Sequence, residues 1–190
     1  VDIILQPLAS SEAVLSAEER ELGVAMVDLG GGTTDLAIFL DGSIRHTAVL
    51  PIGGQNLTKD LAIGLLTSQT DAEKIKVQHG IARTELVHGH HMVEVPSVGD
   101  RPPRQFTRRD IAEILEPRVE EMFDLVKREI VRAGYEGMLG AGVVITGGTS
   151  LLEGMPDAAE RGLNLPARRG MPTGIGGLRE RSLHKQLQPP

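Results

Sequence analysis

The sequence contains no cysteine and no tryptophan, and aromatic residues make up only 2% of the chain. A chain without cysteine forms no disulfide bond and no thiolate metal site, which is compatible with a cytoplasmic protein. So few aromatic side chains argue against a surface that stacks single-stranded bases, and a net charge of −6 argues against a basic surface for nucleic acid. We therefore expect no nucleic-acid partner.

The sequence also lacks a long apolar run. No stretch approaches the roughly 18 consecutive apolar residues of a membrane-spanning helix, and the first residues do not resemble a secretion signal. Hydrophobic residues nevertheless account for 40% of the 190 residues, which is enough for a core built from aliphatic side chains. The composition predicts a globular protein with one large domain or with two lobes.

The most informative stretch is a glycine-rich turn between two strand-like segments. Residues 28–35 read Asp-Leu-Gly-Gly-Gly-Thr-Thr-Asp. Three successive glycines let backbone N–H groups approach an anion, and the hydroxyls of Thr33 and Thr34 can donate to phosphate oxygens. Asp28 and Asp35 can hold a hydrated Mg²⁺ ion, which takes oxygen ligands. The pattern predicts a hairpin that binds a nucleotide phosphate.

Better-known motifs do not fit this turn. No lysine follows the glycines as in a Walker A loop, and residues 34–40 continue as a strand, whereas a Rossmann glycine motif opens a helix. An aspartic-protease motif at Asp28-Leu29-Gly30 would need a second aspartate motif for the catalytic pair. A glycine-rich hairpin without a ligand stays open as the alternative, although a plain hairpin needs only a two-residue turn such as Asp41-Gly42.

A second glycine turn follows an apolar strand near the end of the chain. Residues 142–146 read as a strand, two glycines follow, and a helix is predicted to begin near Ser150. Such a junction brings backbone amides and a helix N-terminus to the carboxyl end of a strand, where α/β proteins bind ligands. This pattern is weak alone. Together with the first turn, it predicts a site for base and ribose beside the phosphate site.

The remaining patterns divide the chain into a β-rich block at 1–54, a mostly helical block at 55–134 and a return to α/β character at 135–178. Thr107 is the predicted N-cap of a long helix, and Pro117 predicts a kink or a break within it. The predicted elements are a strand at 2–5, a short helix near 11–15, three strands ending at residue 50, helices at 56–66 and 71–79, an irregular or hairpin segment at 82–98, a long helix at 107–132 and a strand at 142–146.

These motifs resemble those of the FtsA family of bacterial cell-division proteins, within the actin-like ATPase superfamily. The stretches that carry the resemblance lie at 8–15, 27–35, 43–51, 71–76, 95–98, 116–121 and 145–155. The resemblance implies an α/β fold that corresponds to the actin-like, or ribonuclease H-like, second lobe. Subdomain 2A then comprises 1–54 and 135–178, and subdomain 2B comprises 55–134. Residues 179–190 are polar and depart from the family pattern.

The resemblance also implies ATP and Mg²⁺ as cofactors in the full-length protein, with Asp28 as the catalytic and metal-binding residue. The matching positions are Asp28 for the metal or its water, Gly30, Gly31, Gly32, Thr33 and Thr34 for the β- and γ-phosphates, Glu73 and Lys76 for ribose and base, and Gly147, Gly148 and Thr149 for the adenosine. For Glu73 and Lys76, the alternative to binding ribose and base is an exposed salt bridge on one face of a helix.

By resemblance, the chain is a fragment of a protein that links FtsZ filaments to the membrane, recruits other division proteins and self-associates into filaments. The full-length protein is expected at the cytoplasmic face of the inner membrane at the division site. The first lobe and the membrane-binding tail of the family do not occur in this sequence, so we expect the fragment itself to be soluble in the cytoplasm and to hydrolyse ATP weakly or not at all.

The predicted contact for the C-terminal peptide of FtsZ is the long helix in residues 55–134. Its basic residues Arg118, Lys127 and Arg128 suit an acidic or carboxylate-ended peptide. Two alternatives within the superfamily remain. One is a scaffold related to rod-shape or pilus-assembly proteins, and the other is a sugar-kinase-like enzyme in which Asp28 is the base.

Overall fold

A computed structural model describes residues 6–99 and 101–172. The helices are α1 (Gln6–Val14), α2 (Ala17–Leu22), α3 (Gly54–Gly64), α4 (Gln69–His79), α5 (Arg108–Arg132) and α6 (Met155–Leu163), with 3₁₀ turns at Thr84–Leu86 and Gly148–Leu151. The strands are β1 (Val24–Leu29), β2 (Thr34–Leu40), β3 (Ser43–Leu50), β4 (Met92–Val95), β5 (Arg104–Thr107), β6 (Val143–Thr146) and β7 (Ala167–Arg169).

A five-stranded mixed sheet forms the centre, in the order β3-β2-β1-β6-β7. The three strands β1 to β3 form antiparallel pairs, whereas β1 pairs with β6 and β6 with β7 in parallel. All six residues of β1 are buried, as expected for an apolar strand that is covered on both faces. The predicted strand at 2–5 lies outside the described residues, and so does the polar end at 179–190.

Side chains that alternate along β1 enter two different cores. Val24 and Met26 pack with Val14 of α1 on one face of the sheet. Ala25 and Val27 face the larger core on the other side, which also contains the buried residues of α3, α5 and α6. The period-two alternation of the strand therefore places the helical block and α6 on one face, and α1 on the other.

The long helix α5 is continuous through Pro117, so of the two predicted outcomes, a kink or a break, the break is wrong. The predicted cap is confirmed, because the Thr107 hydroxyl accepts a hydrogen bond from the Asp110 amide and the Asp110 carboxylate accepts one from the Thr107 amide. Pro117 is exposed, while Leu115 and Val119 on either side of it are fully buried. Packing of the same helix face before and after the proline outweighs its missing N–H donor.

The short strands β5 and β7 were not predicted. The segment at 82–98 contains β4, and β4 pairs with β5 as an antiparallel hairpin just before α5. Strand β7 extends the sheet beside β6. Across the two described ranges, none of the helices combines the length and the apolar character that crossing a membrane requires.

Candidate nucleotide site

The two glycine turns leave the central sheet at the same edge. Strands β1 and β6 are parallel, and Asp28 in β1 is the register partner of Thr146 in β6. Strand β2 begins and strand β3 ends at this edge too, because Thr34 pairs with Leu50. The chain therefore enters α3 beside both turns, at the carboxyl ends of the parallel strands.

The first turn is held by the N-terminus of α3. Within the turn, the Gly30 amide donates to the Thr33 carbonyl at 2.9 Å. The Gly30 carbonyl accepts from the Gly54 amide at 3.0 Å, and the Gly31 carbonyl accepts from the Gln55 amide at 2.8 Å. These bonds occupy amides that a helix leaves unpaired at its start, so α3 fixes the orientation of the turn.

The outer side of this turn is open. Gly31, Gly32 and Thr33 are exposed, and a Cβ atom added to Gly32 would meet no atom within 4 Å. Gly53, in contrast, lies against the inner side, where an added Cβ would stand 2.6 Å from the Gly31 carbonyl oxygen. Gly53 and Gly54 are not among the predicted site residues, although a glycine pair at the start of a helix indicates close backbone approach.

The second turn contacts the first. The Thr149 hydroxyl donates to the Gly30 carbonyl at 2.9 Å, so this carbonyl accepts from both α3 and the second turn. Gly147 has φ 85° and ψ 165°, and an added Cβ would lie 2.4 Å from Asp28 Oδ1. Gly148 is exposed, with no atom within 4 Å of an added Cβ. Glycine is needed at the first of these positions by backbone geometry and contact, and space for a ligand exists at the second.

The predicted helix near Ser150 is wrong in form. Residues Gly148–Leu151 make one 3₁₀ turn, and α6 begins only at Met155. The Ser150 hydroxyl donates to the Gly147 carbonyl at 2.7 Å, which stabilises this tight turn. The second turn therefore offers backbone groups of a short turn to a ligand, and not the N-terminus of an α-helix.

The polar side chains of the first turn differ in how they are used. Asp28 is 8% exposed, and the Ser10 hydroxyl donates to its carboxylate at 3.3 Å. The Thr34 side chain is fully buried, and its hydroxyl donates to the Ile52 carbonyl at 2.8 Å. The Thr33 hydroxyl donates to Asp35 at 3.3 Å and is exposed. Of the two threonine hydroxyls, the structure places only that of Thr33 on the open side of the turn.

Glu73 and Lys76 lie one turn apart on α4 and form a salt bridge of 2.7 Å. The Lys76 side chain is only 12% exposed, whereas the Glu73 side chain is 45% exposed. The ammonium group of Lys76 also donates to the Gly54 carbonyl at 3.0 Å and to the Thr58 hydroxyl at 2.9 Å. The exposed-salt-bridge alternative therefore does not describe Lys76, which points into the junction between α3 and α4.

A cavity of about 320 Å³ adjoins the second turn. Its volume falls in the range of small-molecule sites, roughly 300–1,000 Å³. One wall carries Arg108, whose guanidinium donates to the His79 carbonyl at 3.0 Å and pairs with Glu153. The residues that line the cavity include Lys76, Val77, Arg108, Gly148, Thr149 and Leu151. The sequence alone does not indicate Val77, Arg108 or Leu151 as lining residues, because they come together only in the folded chain.

Comparison with known proteins places this arrangement in a family. A family model described as "Cell division protein FtsA" matches residues 25–187. The chain belongs to the FtsA family. FtsA of Pseudomonas aeruginosa is 50% identical over 177 residues, and FtsA of Escherichia coli K12 is 45% identical over 183 residues. Each alignment covers 93% of this chain, but only 42% and 44% of the respective relative.

The chain thus spans less than half the length of the FtsA proteins that it matches. The matched range also runs past Leu178, the predicted end of the family pattern. The resemblance to the FtsA family stated from the sequence is confirmed by this family model and these relatives.

Solved structures show that the fold is the actin-like one. A chain of the PilM–PilN type IV pilus biogenesis complex superposes with a TM-score of 0.71 at 16% identity, over 97% of this chain and 48% of that chain. MreB5 of Spiroplasma citri bound to ADP gives 0.67 at 19% identity, over 85% and 53%. EutJ of Carboxydothermus hydrogenoformans gives 0.64 at 26% identity, over 88% and 50%. The predicted α/β fold of an actin-like second lobe is confirmed.

The three basic residues predicted to contact the FtsZ peptide are not one cluster in this FtsA-family chain. Arg118 binds Asp60 of α3 through two nitrogen atoms, at 2.6 and 3.2 Å, and also pairs with Glu121. Hydrogen bonding to Asp60 raises the pKa of Arg118 above its usual value. Arg128 pairs with Asp124 at 2.5 Å, and Lys127 is exposed. Arg118 and Lys127 are nine residues apart, about 14 Å along a helix.

Proposed function

We propose that this chain forms one side of the ATP-binding site of an FtsA-family cell-division protein. The observation that carries the proposal is the hydrogen bond from the Thr149 hydroxyl to the Gly30 carbonyl, which joins the two glycine turns. It brings the exposed residues Gly31 and Gly32 of the first turn close to the exposed Gly148 of the second, at the sheet edge where Asp28 pairs with Thr146. The open space at Gly32 and Gly148 fits a phosphate chain that approaches the backbone closely.

In this proposal each part of the site has a separate task. The glycine turn at 30–32 binds the β- and γ-phosphates through its backbone, with the Thr33 hydroxyl as a further donor. Asp28 holds Mg²⁺ or one of its waters, since Mg²⁺ is commonly bound by one or two carboxylates together with phosphate oxygens. When bound, the metal offsets the negative charge of the phosphates. The cavity beside Gly148 and Val77 receives ribose and base.

The site is expected to be incomplete in this chain. The chain covers less than half the length of these FtsA relatives. The resemblance implies that family members carry another phosphate-binding loop in the part of the protein that this chain does not cover. With one side of the phosphates unbound, the protein positions ATP less well and stabilises less of the charge that develops during hydrolysis. We therefore propose weak nucleotide binding by this chain and negligible ATP hydrolysis, with any ATPase activity belonging to the full-length protein.

A titration of the ¹⁵N-labelled chain with Mg-ADP, followed by NMR, tests the proposal at the weak affinities that it implies. We expect the amide signals of residues 30–33 and 147–149 to move together and to saturate only in the millimolar range. Amides at Asp41 and Gly42, at the opposite end of β2, serve as the internal control and should stay in place. Signals that do not move, or that move equally throughout the chain, would contradict the proposed site.

At the level of the cell, we propose the division role of the family. The full-length protein would link FtsZ filaments to the cytoplasmic face of the inner membrane at the division site, recruit other division proteins and form filaments of its own. Support comes from membership of the FtsA family and from the actin-like fold. The scaffold and sugar-kinase alternatives lose ground because FtsA proteins match 93% of this chain at 45–50% identity.

For the FtsZ peptide, we propose Lys127 and Arg128 on the exposed side of α5 as the contacting residues, and we assign Arg118 mainly to the fold. Lys127→Glu should weaken binding of a labelled FtsZ C-terminal peptide several-fold, measured by fluorescence anisotropy at low salt. Arg109→Glu, at the other exposed end of the same helix, is the matched control and should leave peptide affinity unchanged.

Arg118→Glu would place a third carboxylate beside Asp60 and Glu121 and should cost about 1–3 kcal/mol of folding stability. Adding Asp60→Arg to that variant should restore most of the loss. If Arg118→Glu instead keeps its folding stability and still abolishes peptide binding, Arg118 belongs to the peptide contact.

A further inference from the structure

All three hydrogen-bond donors of the Lys76 ammonium group are already used within the protein. The Nζ atom donates to the Gly54 carbonyl at 3.0 Å, to the Thr58 hydroxyl at 2.9 Å and to the Glu73 carboxylate at 2.7 Å. A lysine ammonium has three N–H donors, so this set leaves none for a ribose or a base. The expected direct contact between Lys76 and the nucleoside is therefore not what the geometry favours.

The partners of Lys76 connect it to the first glycine turn. Gly54 donates its amide to the Gly30 carbonyl at 3.0 Å and accepts the Lys76 ammonium on its own carbonyl. Thr58 lies one turn further along α3, and its hydroxyl contacts both the Gly54 carbonyl and the Glu73 carboxylate. A continuous chain of hydrogen bonds thus runs from α4 through the first turn of α3 to the phosphate-binding turn.

The first turn of α3 has little freedom to move independently of the glycine turn. A Cβ atom on Gly54 would lie 2.4 Å from the Thr149 hydroxyl oxygen, and a Cβ on Gly53 would lie 2.6 Å from the Gly31 carbonyl oxygen. Backbone packed this closely transmits a displacement, because the absent side chains leave no soft layer between the segments. The position of the Gly54 carbonyl, which Lys76 holds, therefore influences the position of the Gly30 carbonyl.

We infer that Lys76 is a positioning residue that fixes the phosphate-binding turn through Gly54 and Thr58. The inference rests on the proposed nucleotide site only for its functional consequence. Loss of Lys76 loosens the turn at 30–32 before any nucleotide binds. It then weakens the binding of the phosphate part of any nucleotide, whatever its base.

Another lysine on the same helix provides a matched control. Lys74 forms a salt bridge with Asp71 at 2.9 Å and with the same three-residue spacing, but its side chain is 64% exposed and Asp71 lies at the start of α4. Lys74→Met and Lys76→Met make the same chemical change on the same helix. Only the second removes donors from Gly54 and Thr58, so the pair separates the positioning role from the general loss of a helical salt bridge.

The test measures amide hydrogen exchange in the nucleotide-free chain. In Lys76→Met, the amides of Gly54 and Gln55, which donate to the glycine turn, should exchange roughly tenfold faster than in the wild type. Amides in the centre of β1 should keep their rates, which excludes a global loss of stability. Lys74→Met should leave both groups unchanged. Thr58→Val, which keeps the side-chain shape and removes the hydroxyl, should act in the same direction as Lys76→Met.

Titration with Mg-ADP, Mg-GDP and inorganic pyrophosphate completes the experiment. If Lys76 is a positioning residue, Lys76→Met should lower the affinity for all three ligands by the same factor. The inference would be overturned if Lys76→Met weakened the binding of ADP but left the binding of pyrophosphate unchanged. It would also be overturned if the amides of Gly54 and Gln55 kept their exchange rates in both the Lys76 and the Thr58 variants. Faster exchange in a chain that binds none of the ligands would retain the inference for the turn and remove the proposed nucleotide site.

Discussion

Gly147→Ala is expected to be the most destabilising single-methyl substitution at the candidate site. Gly147 has φ 85° and ψ 165°, a region of backbone space that is essentially restricted to glycine. The new Cβ would also stand 2.4 Å from Asp28 Oδ1 and 2.6 Å from the Leu29 carbonyl oxygen. Strain and overlap together should cost on the order of 3 kcal/mol or more, measured as the free energy of unfolding in urea.

Gly148→Ala is the control, because the neighbouring glycine has neither constraint. An added Cβ would meet no atom within 4 Å, and the position is exposed. Its free energy of unfolding should stay within about 0.5 kcal/mol of the wild type. The same methyl group projects into the space assigned to the nucleotide, so the affinity for Mg-ADP should fall. Equal losses of stability in the two variants would contradict the backbone geometry described for this turn.

The sequence was sufficient to predict the two turns because each follows an apolar strand and contains consecutive glycines. Their meeting at one sheet edge depends on the parallel register of β1 and β6, in which Asp28 pairs with Thr146. Once the strands are recognised as neighbours, the common edge follows from topology. The form of the second turn could not be predicted in the same way, since a 3₁₀ turn and the start of an α-helix share their early residue preferences.

Short strands were missed because their own residues do not indicate a strand. The sequence of β7 is Ala-Arg-Arg, and its extended form depends on pairing with Val143 to Ile145 of β6. Strand β5 likewise depends on β4. Conversely, Pro117 does indicate a helix break, and the burial of α5 on both sides of it prevails. Tertiary packing decides all three cases, and local propensity is only a weak guide to them.

Contacts between side chains and groups that lie far apart in the sequence could not be predicted either. The three-residue spacing of Glu73 and Lys76 correctly suggested a helical pair. The third acceptor of Lys76 is the carbonyl of Gly54, 22 residues away, and this contact changes the role we assign to the lysine. In the same way, the partner of Arg118 is Asp60, 58 residues earlier. A pattern that describes one helix face cannot show which cations another helix has already neutralised.

Asp28→Asn should remove the effect of Mg²⁺ on nucleotide binding without unfolding the chain. In the wild type, we expect Mg²⁺ to strengthen ADP binding, because Asp28 supplies a carboxylate at the edge where both turns meet. The amide of asparagine has the same shape but no negative charge, so ADP should bind equally with and without Mg²⁺ in the variant. NMR titration of both proteins with ADP, in magnesium and in chelator, measures this difference.

The stability of the same variant reveals whether Asp28 is kept for binding or for folding. Asp28 is 8% exposed, and among the described side chains the hydrogen-bond donor to its carboxylate is the Ser10 hydroxyl at 3.3 Å. A buried charge with such limited pairing is costly to the fold, so Asp28→Asn should leave the free energy of unfolding unchanged or raise it. Asp41→Asn makes the same substitution at the opposite end of β2 and should alter neither property. If Asp28→Asn instead lowers stability and retains the magnesium effect, the carboxylate serves the fold and another group must hold the metal.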